Sequence, residues 1–186
     1  MPIINPGSSP QHRAYAFVDG AYIREELRRI AKSEQFDPHA LARGTLLDIE
    51  LLRVYYYDAV DDHPDIPLEQ RGQSDILNDY FAWLRRLPDT HVQLGSVRRA
   101  RRREQKGVDV QLAVDAMKAG YAGVADVIGI FSGDADFVPL VMALREIVSR
   151  VIVVAFETSA SAALVDAADR IVFLDPAGGG AFNFRP

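Results

Sequence analysis

Four aspartates lie where a metal site built from carboxylates would need them. Two short β-type runs, at residues 14–18 and 127–131, are each followed at once by acidic side chains. In an open α/β sheet, ligands bind at the carboxyl ends of the strands, above all where the strand order reverses. The sequence therefore predicts one acidic pocket assembled from distant segments, with the members Asp19, Asp109, Asp134 and Asp136.

Carboxylates that converge in one cleft repel each other, which raises their pKa values unless a cation neutralises them. Mg²⁺ prefers oxygen ligands, keeps several of its waters, and binds through one or two carboxylates together with substrate phosphates. Two such ions can hold the attacking and leaving oxygens of an in-line phosphoryl displacement. The chain has no cysteine, which excludes thiolate zinc sites, disulfides and cysteine nucleophiles.

Helix capping is the simpler explanation for each of these acids taken alone. Ser and Asp are favoured N-caps, so Ser132, Asp134 or Asp136 can cap the helix predicted after residue 135. Asp109 stands at a predicted helix N-terminus, where the helix dipole favours a carboxylate whatever the function. The SGDAD cluster directly after a strand favours the functional interpretation for the pair.

Two further acids are weaker candidates for the site. Asp115 follows Asp109 by six residues, so on a helix the two side chains partly diverge, and we expect Asp115 to pack, cap or support. Asp58 follows the tyrosines of a predicted strand and can approach the pocket only if the strand ends there. Most of that tyrosine cluster is expected in the core, because alternation sends its members to both faces of a sheet.

Strands and helices alternate along the chain. Strands are predicted at residues 14–18, 51–57, 91–97, 126–131, 151–156 and 170–174 from their β-branched and aromatic runs. Helices are predicted at 21–32, 74–87, 108–119, 136–149 and 160–168, with a short helical insertion inside 37–48 that Asp37-Pro38 opens. This order predicts an α/β fold in which a mostly parallel sheet of about five to six strands has helices on both faces.

Composition indicates one compact domain. The chain has 186 residues, 48% of them hydrophobic and 25% charged, and we assign residues 14–175 to the domain. Residues 1–13 and the Gly-rich tail 176–186 are predicted to be flexible, and Phe182 and Phe184 of the tail are candidates for a homo-oligomeric contact. We expect a soluble, cytoplasmic protein without membrane contact, because no apolar run approaches the length that spans a bilayer. No G-x-G-x-x-G follows the first strand, so neither a nicotinamide nor a flavin cofactor is expected.

A basic segment precedes Asp109. The net charge is −5, yet residues 98–106 hold five arginines and one lysine against one glutamate. Charge runs are usually solvated loops, but arginines beside an acidic metal site are placed to bind phosphates on either side of a scissile bond. We predict a basic rim that binds a phosphate-rich polymer, made of Arg98, Arg99, Arg101, Arg102, Arg103 and Lys106; the family resemblance described next implies that this polymer is RNA.

Four strings of the sequence resemble an NYN domain of the PIN-like nuclease superfamily, which includes LabA-like proteins. They are FVDGAY, KGVDVQLAVDAM, IGIFSGDADFVPLV and SAALVDAADRIVFL, and the resemblance runs from about residue 15 to residue 174. It implies a Rossmann-like, PIN-like three-layer fold and cleavage of RNA phosphodiesters that depends on Mg²⁺ or Mn²⁺. By motif, Asp19, Asp109, Asp134 and Asp136 correspond to the family's acids, and Ser132 to the small hydroxyl residue before the last pair.

One position departs from the family pattern. Members usually carry asparagine three residues after the first aspartate, where this chain has Tyr22. An amide orients a carboxylate or contacts phosphate, whereas a phenol has a different reach and can stack on a base. This departure keeps open an RNA-binding or regulatory module with little catalysis as an alternative to the nuclease. A phosphatase that acts on small esters is a less favoured alternative, which the same acidic metal site would support.

Overall fold

The computed structural model describes residues 12–31, 34–60, 68–99, 103–105 and 107–175, with side chains over 12–30, 34–59, 75–95 and 107–175. The predicted flexible segments at both ends, residues 1–13 and 176–186, lie almost wholly outside these residues. Within these described residues, seven strands form one sheet: β1 Arg13–Asp19, β2 Glu50–Val60, β3 Thr90–Arg99, β4 Arg103–Gln105, β5 Val127–Phe131, β6 Arg150–Phe156 and β7 Arg170–Leu174.

Six α-helices connect the strands in the part of the chain that the structure describes. They are α1 Gly20–Ala31, α2 Pro38–Thr45, α3 Leu68–Leu84, α4 Val108–Tyr121, α5 Val138–Leu144 and α6 Ala162–Ala167, with a 3-10 turn at Ala135–Phe137 before α5. The cap predicted for the insertion is confirmed, because the Asp37 side chain accepts hydrogen bonds from the backbone N–H groups of His39 and Ala40. Across the described ranges, every helix is too short or too polar to cross a lipid bilayer.

The strand order is β4-β3-β2-β1-β5-β6-β7. Every neighbouring pair is parallel except β3 and β4, which form an antiparallel hairpin at the edge. The chain builds outward from β1 to β3 and then returns to place β5 on the other side of β1. This is the order of a Rossmann-like sheet, with its reversal point between β1 and β5, and it confirms the predicted α/β fold.

Helices cover both faces of the sheet. Val18 and Tyr56 point into a core that α1, α2 and α3 complete. Their sequence neighbours Phe17 and Tyr57 point into a second core under α4, α5 and α6. β6 lies between the two cores and is buried from Val151 to Phe156, which explains why its sequence is continuously apolar rather than alternating.

The helix predicted at 136–149 is shorter than its sequence pattern suggested. It begins as the 3-10 turn, continues as α5, and ends at Leu144. After it, the N–H groups of Glu146 and Ile147 bond to carbonyls three residues back, and the N–H of Ser149 bonds to the carbonyl of Asp126. The chain must turn there to enter β6, and the β-branched pair Ile147-Val148 has little helix preference to oppose that turn.

Arg13 and Asp126 join the beginning of β1 to the turn before β5. The Asp126 carboxylate accepts from the Arg13 backbone N–H at 2.9 Å and from its Nε at 3.2 Å. The Arg13 side chain, through its hydrogen bond, holds the pKa of Asp126 below its usual value. A carboxyl whose pKa is lower in the folded state stabilises the fold above its unfolded pKa, and loses that contribution as pH falls through the folded pKa.

Replacing Asp126 with asparagine is therefore expected to lower the free energy of unfolding slightly at pH 7, since the pair is exposed to solvent. The deficit should shrink as pH falls below the ordinary range of an aspartate pKa and vanish below the folded value. Urea unfolding of both proteins from pH 7 to pH 3 measures it. A deficit of constant size over that range would contradict the ionic origin.

Candidate functional site

The site lies where the strand order reverses. Asp19 ends β1, Ser132 directly follows β5, and the two parallel strands are paired up to Val18 and Phe131. The residues that follow β1 and β5 therefore lie side by side at the carboxyl ends of the strands. In open α/β sheets, the crevice at these ends is where ligands bind.

A chain of hydrogen bonds links the two strand ends. Ser132 is fully buried, and its hydroxyl donates to Asp19 Oδ2 at 3.0 Å. The backbone N–H of Asp134 donates to the same Ser132 Oγ at 3.3 Å, and the backbone N–H of Tyr22 donates to Asp19 Oδ1 at 3.1 Å. Asp19 is thus fixed in orientation by α1 on one side and by the turn after β5 on the other.

The turn after β5 needs glycine at position 133. A Cβ there would lie 2.6 Å from Tyr22 Oη and 2.9 Å from the carbonyl oxygen of Ser159, which is closer than real Cβ contacts allow. The carbonyl of Gly133 also accepts from the N–H of Ser161 at the start of α6. Sequence patterns did not predict Ser159 at this place, because it lies 137 residues from Tyr22 along the chain.

Tyr22 points away from the carboxylates. Its hydroxyl lies 2.9 Å from Ser159 Oγ and accepts from the backbone N–H of Phe156 at 3.0 Å, and its ring packs beside the Phe156 ring. The side chain therefore joins α1 to the end of β6. This placement favours a packing role for Tyr22 over the base-stacking role considered from the sequence, while its backbone still supports Asp19.

Asp134 and Asp136 are both exposed at the mouth of the crevice. Asp134 Oδ1 accepts from the Asp136 backbone N–H at 2.9 Å and so caps the 3-10 turn. This confirms the capping role that the sequence allowed for Asp134. Asp134 Oδ2 has no hydrogen bond to any described residue. Capping therefore occupies one oxygen of the carboxylate and leaves the other for a ligand.

Asp109 lies in the first turn of α4. Gly107 precedes the helix in the left-handed conformation, with φ of 88°, and no side chain caps this N-terminus. Asp109 is thus not the cap that its position suggested. Burial raises the pKa of Asp109 most, and the negative charges of Asp134 and Asp136 raise it further. The three carboxylates therefore repel one another across the crevice.

Among the side chains that the structure describes, no basic group balances the negative charge at the site. Burial raises the pKa of Asp19 to about 7 against the opposing effect of its hydrogen bonds from Tyr22 and Ser132, and the charges of Asp109 and Asp58 raise it further. Among the described side chains, no Lys, Arg or His forms an ion pair with any of the four predicted site acids. A cation would remove this repulsion, and its binding would displace the proton of Asp19.

The donor set fits a hard, hydrated cation. In the parts of the chain with described side chains, no three His, Cys, Asp or Glu groups stand close enough together to form a ligand cage by themselves. Mg²⁺ does not need such a cage, because it commonly binds one or two carboxylates and completes its octahedron with waters and substrate phosphates. Oxygen donors also suit Mn²⁺.

Asp58 and Asp115 are held by partners outside this crevice, although the charge of Asp58 still raises the pKa of Asp19. Asp58 sits inside β2, which extends beyond the predicted strand end, and its buried carboxylate accepts from Arg24, the Tyr56 hydroxyl and the Ala59 N–H. Asp115 accepts from the Tyr57 hydroxyl at 3.1 Å and from Gln111 at 2.8 Å, farther along α4. The supporting role expected for Asp115 is therefore directed at Tyr57.

The basic segment is partly a hairpin rather than the loop expected from its charge. Arg98 and Arg99 end β3, Arg103 begins β4, and the pairing is antiparallel. β3 runs three residues beyond the last residue paired with β2, so the hairpin projects from the same edge of the sheet as the site. Arg101, Arg102 and Lys106 lie outside the described residues.

Fold and crevice together define a Rossmann-like α/β protein with an acidic centre at the reversal point of its sheet. The sequence model of the NYN domain matches residues 13–175, so the chain belongs to the NYN domain family, which has a PIN-like nuclease fold. This confirms the resemblance noted in the sequence.

A solved structure shares the architecture. The crystal structure of a protein of unknown function from Vibrio parahaemolyticus superposes with a TM-score of 0.64 at 22% identity, covering 91% of this chain and 96% of that one. At that identity the likeness is one of fold. No curated protein matches the chain in sequence.

Proposed function

We propose that this protein is a ribonuclease that depends on a divalent metal, Mg²⁺ or Mn²⁺, and hydrolyses RNA phosphodiester bonds. The observation that supports it is the hydrogen-bonded arrangement of Asp19, Ser132 and Asp134 across the reversal point of the sheet. Asp109 and Asp136 add charge to the same crevice, and the crevice lacks a described basic partner. Membership of a family with a nuclease fold points the same way.

Of the four aspartates Asp19, Asp109, Asp134 and Asp136, one or two would hold the metal directly, and the others would contact its waters. When bound there, the metal supplies an activated water and stabilises the charge that develops on the leaving oxygen. Asp19 is held in one orientation by two hydrogen bonds, so it is the preorganised member of the set. Asp134, Asp136 and Asp109 stand at the exposed mouth, where a phosphate of the RNA can enter between them.

RNA is proposed to lie along the edge from which the β3-β4 hairpin projects. The six basic residues of the segment 98–106 would face phosphates there, which release counterions when they are neutralised. In this arrangement the aspartates of the crevice are the site of phosphodiester hydrolysis, and the basic rim at residues 98–106 binds the RNA strand. Binding should therefore weaken steeply as salt increases.

The chemistry of the cut distinguishes this proposal from other RNA cleavage. Water attack on phosphorus does not use the 2′-hydroxyl, so an oligonucleotide with one 2′-deoxy residue at the scissile position should be cut at a rate similar to its all-ribose parent. The products should carry a phosphate monoester on one end and a free hydroxyl on the other. Loss of cleavage on 2′-deoxy substitution, or a 2′,3′-cyclic phosphate product, would overturn metal-assisted hydrolysis.

Replacing Ser132 with alanine is expected to lower the cleavage rate and the Mn²⁺ affinity by about 10- to 100-fold each, because groups that orient a metal ligand typically matter by that amount. The change leaves Asp19 Oδ2 and the Asp134 N–H without their shared partner. Single-turnover cleavage and calorimetric Mn²⁺ titration measure the two effects. Ser149→Ala, at an exposed serine, is the matched control, and equal behaviour of both variants would contradict the orienting role.

A second candidate is an RNA-binding or regulatory module with little catalysis. The observation that favours it is Tyr22, whose hydroxyl is used at the end of β6, so this position offers no side-chain donor to the acids. Under this alternative, RNA binding survives chelation and no product forms, and Tyr22→Asn increases any residual cleavage. A small-ester phosphatase, the least favoured alternative, predicts that RNA competes poorly with a small phosphate ester.

A further inference from the structure

A second cavity lies on the α4 face of the sheet, apart from the acidic crevice. Its volume is about 500 Å³. Strands β1, β2 and β3 form its floor and α4 forms one wall. The residues that give it its chemistry are Tyr15, Arg53, Tyr55, His91, Gln93 and Lys118.

Aromatic rings cross the floor of this cavity as a stack. The Phe17 and Tyr55 rings are 4.9 Å apart and nearly parallel, and the Tyr55 and His91 rings are 5.3 Å apart at 11°. These three residues occupy one register across β1, β2 and β3. His91 is exposed, and β4 pairs with β3 only at residues 97–99, so in the described part of the chain the stack ends in an open imidazole face at the sheet edge.

Two cationic side chains line the cavity beside the stack. The Arg53 guanidinium lies 5.9 Å from the centre of the Tyr15 ring, and Lys118 stands on α4 across the cavity. The acid nearby, Asp115, accepts from Tyr57 and Gln111 and forms an ion pair with Lys118 at 3.4 Å, which is weak because the Lys118 side chain is largely exposed to solvent. An aromatic platform beside cationic side chains is the combination that holds single-stranded nucleic acids, whose bases stack while their phosphates pair with the cations.

The cavity is within reach of the acidic crevice. Tyr57 occupies the same register as Asp19, and Tyr55 lies two residues earlier on the same face of β2. Asp115 beside the cavity follows Asp109 by six residues of α4, which is about 9 Å along the helix axis. A single RNA strand that has one phosphate at the carboxylates can therefore place a neighbouring nucleotide in the cavity.

We propose that this cavity binds a nucleotide of single-stranded RNA next to the scissile phosphate, with the base stacked on His91 and the backbone held by Arg53 and Lys118. The proposal rests on the proposed ribonuclease function and adds a subsite to it. It implies a preference for unpaired RNA, because a base inside a duplex cannot be turned onto an aromatic side chain.

The test measures binding separately from cleavage. Fluorescence anisotropy of a labelled single-stranded oligoribonucleotide is followed with chelator present, in full-length protein that carries Asp134→Asn so that the RNA stays intact. Adding His91→Ala should raise the Kd about tenfold, the scale of one lost base-aromatic stack. His91→Phe should keep the original Kd, and His39→Ala, a histidine of α2 on the other face of the sheet, is the matched control.

Salt dependence tests the cationic part. Arg53→Gln should lower the slope of log K against log salt by about one, as expected for one lost phosphate contact, whereas a merely structural role would leave the slope unchanged. The cavity proposal would be overturned if the Kd of the His91→Ala protein lay within twofold of that of its parent protein. It would also be overturned if the protein did not bind single-stranded RNA at all. A tenfold effect of His91→Ala in a protein that never cleaves RNA would keep the cavity and overturn the nuclease. If the protein cleaves RNA with a KM that is unchanged in His91→Ala, the nuclease is supported and the cavity proposal is overturned.

Discussion

Replacing Asp134 with asparagine is expected to lower the single-turnover rate of RNA cleavage at least about 100-fold. A bound metal contributes several kcal/mol of charge stabilisation in the transition state, and each factor of ten corresponds to about 1.4 kcal/mol. Asparagine keeps an oxygen that can accept from the Asp136 N–H, so the cap of the 3-10 turn is retained while the charge is lost. The fold should therefore persist, with an unchanged urea midpoint.

Asp37→Asn provides the control for that experiment. Asp37 also caps a helix N-terminus with its carboxylate, but it does so on α2, under the other core. The chemical change is identical, and cleavage should stay within about twofold, since surface changes away from the site have small effects. Equal turnover of wild type and folded Asp134→Asn would show that Asp134 takes no part in the chemistry.

Replacing Asp58 with alanine is expected to lower the free energy of unfolding by about 3–5 kcal/mol, the range for breaking a buried ion pair from one side. The Asp58 side chain is fully buried and its partner Arg24 nearly so, with Nε and Oδ2 2.8 Å apart. The change would also leave the Tyr56 hydroxyl and the Ala59 N–H without their acceptor. Urea unfolding at pH 7 measures the loss.

Two comparisons make the Asp58 result specific. Asp166→Ala, at an exposed position of α6, should change the free energy of unfolding by less than about 0.5 kcal/mol. Asp58→Asn should cost less than Asp58→Ala, because the amide keeps an acceptor for one of the donors. A loss below about 1 kcal/mol for Asp58→Ala would contradict the stabilising role assigned to the pair.

Local patterns were sufficient to predict the architecture. Strand runs such as the one ending at Asp19 combine aromatic and β-branched residues with a polar residue at the strand end, and their alternation with predicted helices favours a mostly parallel sheet. The reversal point followed from the same observation, since acids directly after two strands indicate neighbouring carboxyl ends. Asp19 and Ser132 are in direct contact there, although 113 residues separate them.

Contacts between distant side chains were beyond the sequence. The partners of Asp58 depend on Arg24 crossing from α1 to β2, and the role of Tyr22 depends on Ser159 after β6. No periodicity or motif in the sequence predicts either of these two contacts. The early end of α5 has the same origin, because the tertiary demand to enter β6 overrides helix preference beyond Leu144.

The basic segment shows a different limit. Its charge predicts solvent exposure equally for a loop and for a hairpin, and only the antiparallel pairing of Arg98 with Glu104 distinguishes them. The stacked rings of the second cavity were likewise hidden, because Tyr55 and His91 become neighbours only through the register of β2 and β3. His91 alone carried no signal beyond that of a surface histidine.

The proposed function is tested by cleavage of one labelled single-stranded RNA by purified protein, run in parallel with Mg²⁺, with Mn²⁺ and with chelator. We expect products that appear with either metal, disappear with chelator, return when metal is restored in excess, and are absent from Asp134→Asn but present with Asp37→Asn. Products that persist in chelator, or intact RNA under every metal condition despite measurable binding, would contradict a metal-dependent ribonuclease.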